Sequence, residues 1–230
     1  MQNKNNKTLS AVLTPDSVLS VIIDPIFKIY AIQDYAIENF ISKYHSGDFI
    51  DYDVIILNAN NKFIFSDNST IRSTEDFSVG VQKFTGQNTF VKFIQHIEDL
   101  KTTKHVSALI DHYYYLKFQD IIHLHFEQGV MHVYIKQNGL FILYNFYTVE
   151  NEVDLLYFCN LAFESVNEEI KQDNRWVLSG LIDKGSLFEK TILKYFPSFE
   201  YVDIPITYTQ ELVKYPTHYY FLHYLNILCE

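Results

Sequence analysis

The amino-acid sequence predicts an α/β protein made of two successive layered halves with mixed sheets, and three observations carry that expectation. The second half reads β-β-β-α-β-α-β, the order of a ribonuclease-H-like unit. The first half also opens on a hairpin and runs on through alternating helices and strands, which hints at a duplication. The composition supplies a core: 48% of the 230 residues are hydrophobic and 17% aromatic, with 19 Phe and 18 Tyr, unlike any disordered chain.

In chain order, Val18 to Ile23 and Phe27 to Ile32 read as a hairpin around Asp24-Pro25, with a short helix from Tyr35 to Tyr44 behind it. Asp53 to Leu57 and Lys62 to Phe65 flank Asn60-Asn61 as a second strand pair. Phe90, Phe93, Ile94 and Ile97 recur at helical spacing and predict a helix from Thr89 to Leu100, and the apolar run Val106 to Ile110 reads as a strand. A boundary between residues 118 and 119 divides this half, 1–118, from the second, 119–230.

The second half is more legible. Ile122, Leu124 and Phe126 alternate with His123 and His125 as in a strand, and Gln128-Gly129 and Asn138-Gly139 are two-residue hairpin signals that lead into Val133-Tyr134-Ile135 and Leu140 to Tyr144. Asn151 can cap a helix in which Leu155, Phe158, Cys159, Ala162 and Val166 share a face. Leu156, Leu161 and Phe163 make its other side apolar too, so a helix covered by more than one layer is expected. Trp176-Val177-Leu178 reads as a strand that ends at Ser179-Gly180. Ser186 caps a helix with Phe188, Ile192, Tyr195 and Phe196 on one face, and Phe199 to Ile204 is a last strand. Thr217 to Cys229 reads as a C-terminal helix that closes one half against the other.

Composition removes several function classes. The net charge is −10, and Arg72 and Arg175 are the only arginines, so the forks that grip phosphate or guanine are nearly absent and nucleic acid is not an expected partner. Leu9 to Leu13 is too short for an export-signal core, and no run approaches the ~18 apolar residues of a membrane span. Cys159 and Cys229 stand far apart in sequence, which suits a reducing compartment. The expectation is a cytoplasmic protein, without membrane contact, acting on a protein partner as a monomer or weak dimer.

Three stretches resemble a family found mostly in Bacteroidetes and catalogued as a domain of unknown function (DUF family 3822), assigned an actin-like ATPase fold. They are Leu140 to Tyr147 running into Asp154 to Phe158, then Val177 to Leu181 with Ser186-Leu187-Phe188, and the ending Pro216 to Leu222 with Cys229-Glu230. The resemblance implies an actin-like bacterial α/β fold of two ribonuclease-H-like subdomains that face a cleft. It assigns no activity.

An actin-like ATPase holds triphosphate between two hairpin turns, each an Asp followed by glycines, because backbone amides must approach the phosphates and a carboxylate must hold hydrated Mg²⁺. Here the first hairpin offers Asp24-Pro25-Ile26-Phe27, where proline removes a donor and large side chains stand where glycine would leave room. The second offers Glu127-Gln128-Gly129 without an Asp, and the turn that would face adenine keeps one glycine, Gly180, of two. No P-loop or dinucleotide fingerprint occurs elsewhere. The residues therefore predict a non-catalytic pseudo-ATPase with no cofactor that acts as an interaction scaffold. One alternative is a nucleotide-binding ATPase or sensor using Asp24, Glu127, Gly129 and Gly180 as nonstandard phosphate and base contacts. Another is zinc held by His123, His125 and His132, since a Gln128-Gly129 turn sets His125 opposite His132. The plainer expectation for these histidines is a solvated strand face.

Overall fold

The computed structural model describes residues 7–14, 17–59, 63–66, 79–94, 96–97, 100–101, 104–164, 175–196, 198–209 and 215–229. The chain divides into two compact units. The first comprises residues 1–112, 205–216 and 222–230, and the second comprises 113–204 and 217–221. The first crossing between the units falls between His112 and Tyr113, and residues 205–216 and 222–230 return to the first unit.

The first unit is centred on a six-stranded sheet. Strands β1 (Thr8–Leu13), β2 (Ser17–Ile23) and β3 (Lys28–Ala36) form an antiparallel meander, α1 (Ile37–Ser46) follows, and β4 (Asp53–Asn58) returns parallel to β1. The segment after β4 forms a three-stranded antiparallel sheet of β5 (Phe63–Ser66), β6 (Val79–Lys83) and β7 (Phe90–Ile94), and a small ladder of β8 (His96–Ile97) and β9 (Leu100–Lys101). Then β10 (Lys104–His105) joins the main sheet parallel to β4 and leads into α2 (Val106–Tyr114). Leaving out a last strand at its edge, the order β3-β2-β1-β4-β10 is that of a ribonuclease-H-like sheet, with β2 antiparallel to its neighbours. Leu9, Ala11 and Leu13 of β1 pack with Phe40 of α1, Phe49 and Ile56 into an apolar cluster.

Several first-half expectations are corrected. The segment 89–100 contains strands instead of a helix: Phe90, Phe93, Ile94 and Ile97 fit helical spacing, but Val91 and Phe93, two residues apart, are both buried, and β7 pairs with both β5 and β6. Val106 to Ile110 is helical, not extended, because a run buried at every position has no period to tell strand from helix. β4 and β5 do not pair with each other; β4 lies beside β1 and β5 beside β7. Leu9 to Leu13, weighed only as a leader core, forms most of β1, the central strand.

The second unit repeats the plan. β11 (Ile121–Glu127), β12 (Val130–Gln137) and β13 (Leu140–Thr148) form the meander, α3 (Glu152–Phe163) follows, and β14 (Arg175–Gly180) runs parallel to β11. Next come α4 (Leu187–Tyr195) and β15 (Phe199–Tyr201), which pairs parallel with β14, so the sheet order is β13-β12-β11-β14-β15. β15 is shorter than the predicted 199–204 strand. The chain ends with β16 (Thr207–Tyr208) beside β3, a 3₁₀ turn at Thr217–Tyr220, and α5 (Phe221–Leu228).

Local chemistry explains these boundaries. Asn138 and Gly139 both have positive φ, as a type I′ turn requires. The Asn151 side chain accepts from Val153 N and Asp154 N, and the Ser186 hydroxyl accepts from Glu189 N while the Glu189 carboxylate reaches back to Gly185 N, the amide before the cap. On one sheet face Ile122, Leu124, Phe126, Met131, Val133 and Leu178 pack with Leu155, Cys159, Phe163 and Ile192 from α3 and α4. As expected, α3 is covered by more than one layer, its sheet and α4, with Phe163 packed against Phe196, while Val153, Tyr157 and Leu161 are exposed.

Candidate functional site

Asp24 stands at the tip of the β2–β3 hairpin in the first unit, and the turn closes on its carboxylate. Oδ1 accepts from Ile26 N at 3.0 Å and Lys28 N at 2.9 Å, and Oδ2 accepts from the Tyr30 hydroxyl at 3.0 Å. The Phe27 amide donates to the Asp24 carbonyl at 3.0 Å, and Pro25 has no amide hydrogen to offer. Phe27 takes φ +61°, a left-handed position where a glycine would be free of strain. No donor at this tip is left pointing outward, because each N–H from residue 26 to residue 28 is engaged within the turn.

The other predicted site residues lie in the second unit. Glu127 and Val130 close a two-residue turn through Gln128 and Gly129, with Gly129 at φ +67° and its carbonyl accepting from Val149 N. Gly180 ends β14 at φ +81°, and Leu181 N donates to the Phe126 carbonyl at 2.7 Å. A Cβ at Gly180 would lie 1.9 Å from that carbonyl oxygen. The glycine is thus required by the approach of β11's own backbone.

His123, His125 and His132 do share one sheet face, and His125 is directly opposite His132. That face is not solvated: all three rings are buried, which corrects the expectation of exposed strand histidines. Phe221 packs against His123 and His125 with ring centroids 4.9 and 6.2 Å away, and Tyr114 lies edge-on to His123 at 5.5 Å.

Hydrogen bonds link the layer into a chain. Glu127 Oε1 is 2.7 Å from His125 Nε2, His125 Nδ1 is 2.7 Å from the Ser179 hydroxyl, and that hydroxyl is 2.6 Å from His123 Nε2. A carboxylate can only accept, so with neutral imidazoles His125 Nε2 donates to Glu127 and its Nδ1 accepts from Ser179 Oγ. The Ser179 oxygen then accepts from His123 Nε2–H, leaving a buried lone pair on His123 Nδ1, which has no partner among the described residues. Burial, reinforced by His125 and His132, holds the His123 pKa well below that of a free imidazole, consistent with a neutral ring. His132 Nδ1 meets the Tyr144 hydroxyl at 2.8 Å, and burial together with Glu127 raises that phenol's pKa.

Carboxylate, imidazole and hydroxyl follow one another here as in a serine hydrolase, but Ser179 is completely buried and its oxygen is shared between two rings. A nucleophile needs a path to substrate, so this chain works as a clamp between β11 and β14. Among the described residues no three His, Cys, Asp or Glu side chains are grouped to hold a metal ion. Both ring nitrogens of His125 already have protein partners.

Two members of this layer lacked a sequence signal strong enough to single them out. Ser179 follows the alternation of β14 onto the histidine face, one residue before the glycine that was noticed. Lys136 follows the same period, four residues from His132 and two from Tyr134. It is almost wholly buried, with Nζ 3.1 and 3.0 Å from the carbonyls of Tyr114 and Tyr115 at the end of α2. The Tyr114 carbonyl also accepts from Lys117 N and Phe118 N, so the ammonium adds a donor there, serves the Tyr115 carbonyl and complements the negative end of the helix.

Paired antiparallel meanders, each extended by parallel strands at the same side of the central strand, define an actin-like ATPase fold. Solved structures agree. A Bacteroides thetaiotaomicron protein with an actin-like ATPase fold and unknown function superposes with a TM-score of 0.64 at 15% identity, over 89% of this chain and 93% of that one. A chain of the PilM-PilN type IV pilus biogenesis complex gives 0.55 at 8% identity, over 96% and 98%. Residues 79–199 match the family described as protein of unknown function (DUF3822), and the chain belongs to that family. No curated protein matches the chain in sequence. Among the described residues no helix is long and apolar enough to cross a membrane.

Proposed function

We propose that this protein is a non-catalytic member of the actin-like fold, a cytoplasmic scaffold that binds another protein instead of turning over ATP. One observation carries the reading: the tip of the first phosphate-type hairpin is satisfied from within, its three amides engaged by the backbone and side chain of Asp24. Phosphate binding needs such amides free and converging, and a carboxylate that already accepts three hydrogen bonds is poorly placed to hold hydrated Mg²⁺. The turn at Gly180, closed against Phe126, supports the same reading. The likeness to a chain of the PilM-PilN complex supports a protein partner, since that relative of the fold is found in an assembly.

Thermal shift with ATP or ADP and Mg²⁺ tests the proposal. A ligand present at 100 times its dissociation constant would stabilise the fold by about 2.7 kcal/mol and raise the melting temperature by several degrees. The expected result is no saturable shift with either nucleotide. A shift that saturates, and that Asp24→Ala or Glu127→Ala removes, would establish the nucleotide-sensor alternative. Zinc bound stoichiometrically to purified protein and lost on chelation would establish the histidine alternative.

A further inference from the structure

The outer face of the second unit, where α3 and α4 cover the sheet, carries large apolar side chains that are exposed among the described residues. Val153 is 75% exposed and Tyr157 61%, and with Leu161 they recur every four residues, forming one stripe on α3. On α4 Leu187, 61% exposed, Leu193 and Tyr195 are exposed as well, spread around the helix rather than in one row. The exposure of Tyr195 departs from its predicted place on the buried face with Ile192. Clusters of this kind on a well-packed domain mark interaction surfaces.

Charge separates by helix on this face. The α3 sequence contains no basic residue, carries Glu152 and Asp154 in its first turn, and is bracketed by exposed Glu150 and Glu164. The exposed charges of α4 are Lys190 and Lys194. Its one acidic residue, Glu189, is turned inward, where its carboxylate accepts from Gly185 N and from the Tyr201 hydroxyl. One apolar face thus has an acidic helix beside a basic one.

We propose that this face binds a second copy of the chain in a two-fold symmetric contact, α3 of one protomer against α4 of the other. A two-fold axis brings each acidic helix to a basic one and the apolar stripe of each α3 to the exposed apolar residues of the other protomer's α4, so the pattern is complementary to itself. A uniformly basic or uniformly acidic partner would match only one of the two helices. The contact involves none of the hairpins discussed above, and its test reads mass, so its failure leaves the nucleotide question where it stood.

Sedimentation velocity on the full chain between about 5 and 200 μM, a range in which small interfaces associate, should show a concentration-dependent dimer. Reversing the basic helix with Lys190→Glu and Lys194→Glu should weaken self-association by about tenfold or more, and so should reversing the acidic one with Glu150→Lys and Glu164→Lys. Mixing the two double variants should restore a heterodimer, because both helix pairs then match again. All four positions are exposed, so circular dichroism should report wild-type folding. Tyr157→Asp, at the centre of the stripe, should abolish the dimer without unfolding the chain. A wild-type protein that stays monomeric throughout overturns the proposal, as does a dimer that survives Tyr157→Asp and both reversals.

Discussion

Replacing Gly180 with alanine separates a structural role for this glycine from a ligand-binding one. At φ +81° the backbone is left-handed, which costs alanine about 1–2 kcal/mol. The added Cβ would lie 1.9 Å from the Phe126 carbonyl oxygen and 2.7 Å from the Phe126 nitrogen, both backbone atoms of β11 that cannot rotate away. Relief requires β11 and β14 to part at their Phe126 and Gly180 ends, weakening the 2.7 Å bond from Leu181 N to the Phe126 carbonyl. Losing a backbone bond or two adds about 1 kcal/mol each. The expected cost is therefore about 2–4 kcal/mol, read as a fall in the urea midpoint by circular dichroism. Gly129→Ala is the control: φ is +67°, but no atom lies within 4 Å of the new Cβ, so only the same left-handed conformational cost of about 1–2 kcal/mol remains. Equal losses for the two variants would refute the argument from close approach. A Gly180→Ala protein of wild-type stability would do so more severely, and would return the glycine to candidacy as a nucleotide contact.

Acid should weaken the fold through His123. Its folded pKa is depressed below the free value of 6.5 by burial and by its two histidine neighbours. Its contribution is therefore complete above about pH 6.5 and is lost as pH falls, because the unfolded chain takes up the proton first, at up to about 1.4 kcal/mol per pH unit. Urea midpoints between about pH 7.5 and 5 should fall for wild type and fall less steeply for His123→Phe, and identical slopes would contradict the neutral buried ring. Lys136→Met should cost about 1–2 kcal/mol, because it removes the ammonium donor from the Tyr115 carbonyl while the Tyr114 carbonyl keeps Lys117 N and Phe118 N; an unchanged midpoint would show that the ammonium adds nothing at the end of α2.

What could be read in the sequence followed local chemistry. The β11–β12–β13 meander was legible because Gln128-Gly129 and Asn138-Gly139 mark their turns unambiguously, and the starts of α3 and α4 because Asn151 and Ser186 are side-chain caps. The failures lie where periodicity carries no information. Strand β7 places Phe90, Phe93 and Ile94 at spacings a helix would share, and only its pairing with β5 and β6, distant in sequence, decides the matter. Helix α2 begins as a run buried on all sides. In the candidate site the face of each histidine was legible from the pleat, but its burial was not, because what covers it comes from Tyr114 and Phe221, the latter nearly a hundred residues away.

Duplication is visible in topology and in the placing of polar groups more than in residue identity. Each unit has a central strand, β1 or β11, buried on both sides, and each has apolar side chains toward one layer of helices. On the opposite face of β1, buried Ser10 meets His223 Nδ1 at 3.1 Å and Asn226 Nδ2 at 3.0 Å from α5, and Asn226 also donates to the Ile55 carbonyl. On the opposite face of β11, His123 and His125 meet Ser179. A central strand apolar on both faces could accept a helix on either, and a one-residue slip of its register would cost little. Buried hydroxyls and imidazoles change that balance, because a slip would turn them into an apolar layer without partners, at about 1–3 kcal/mol for each group left unsatisfied. The two polar layers thus hold each sheet in one register with one face toward its helices, and that function accounts for buried histidines without requiring a metal or a substrate.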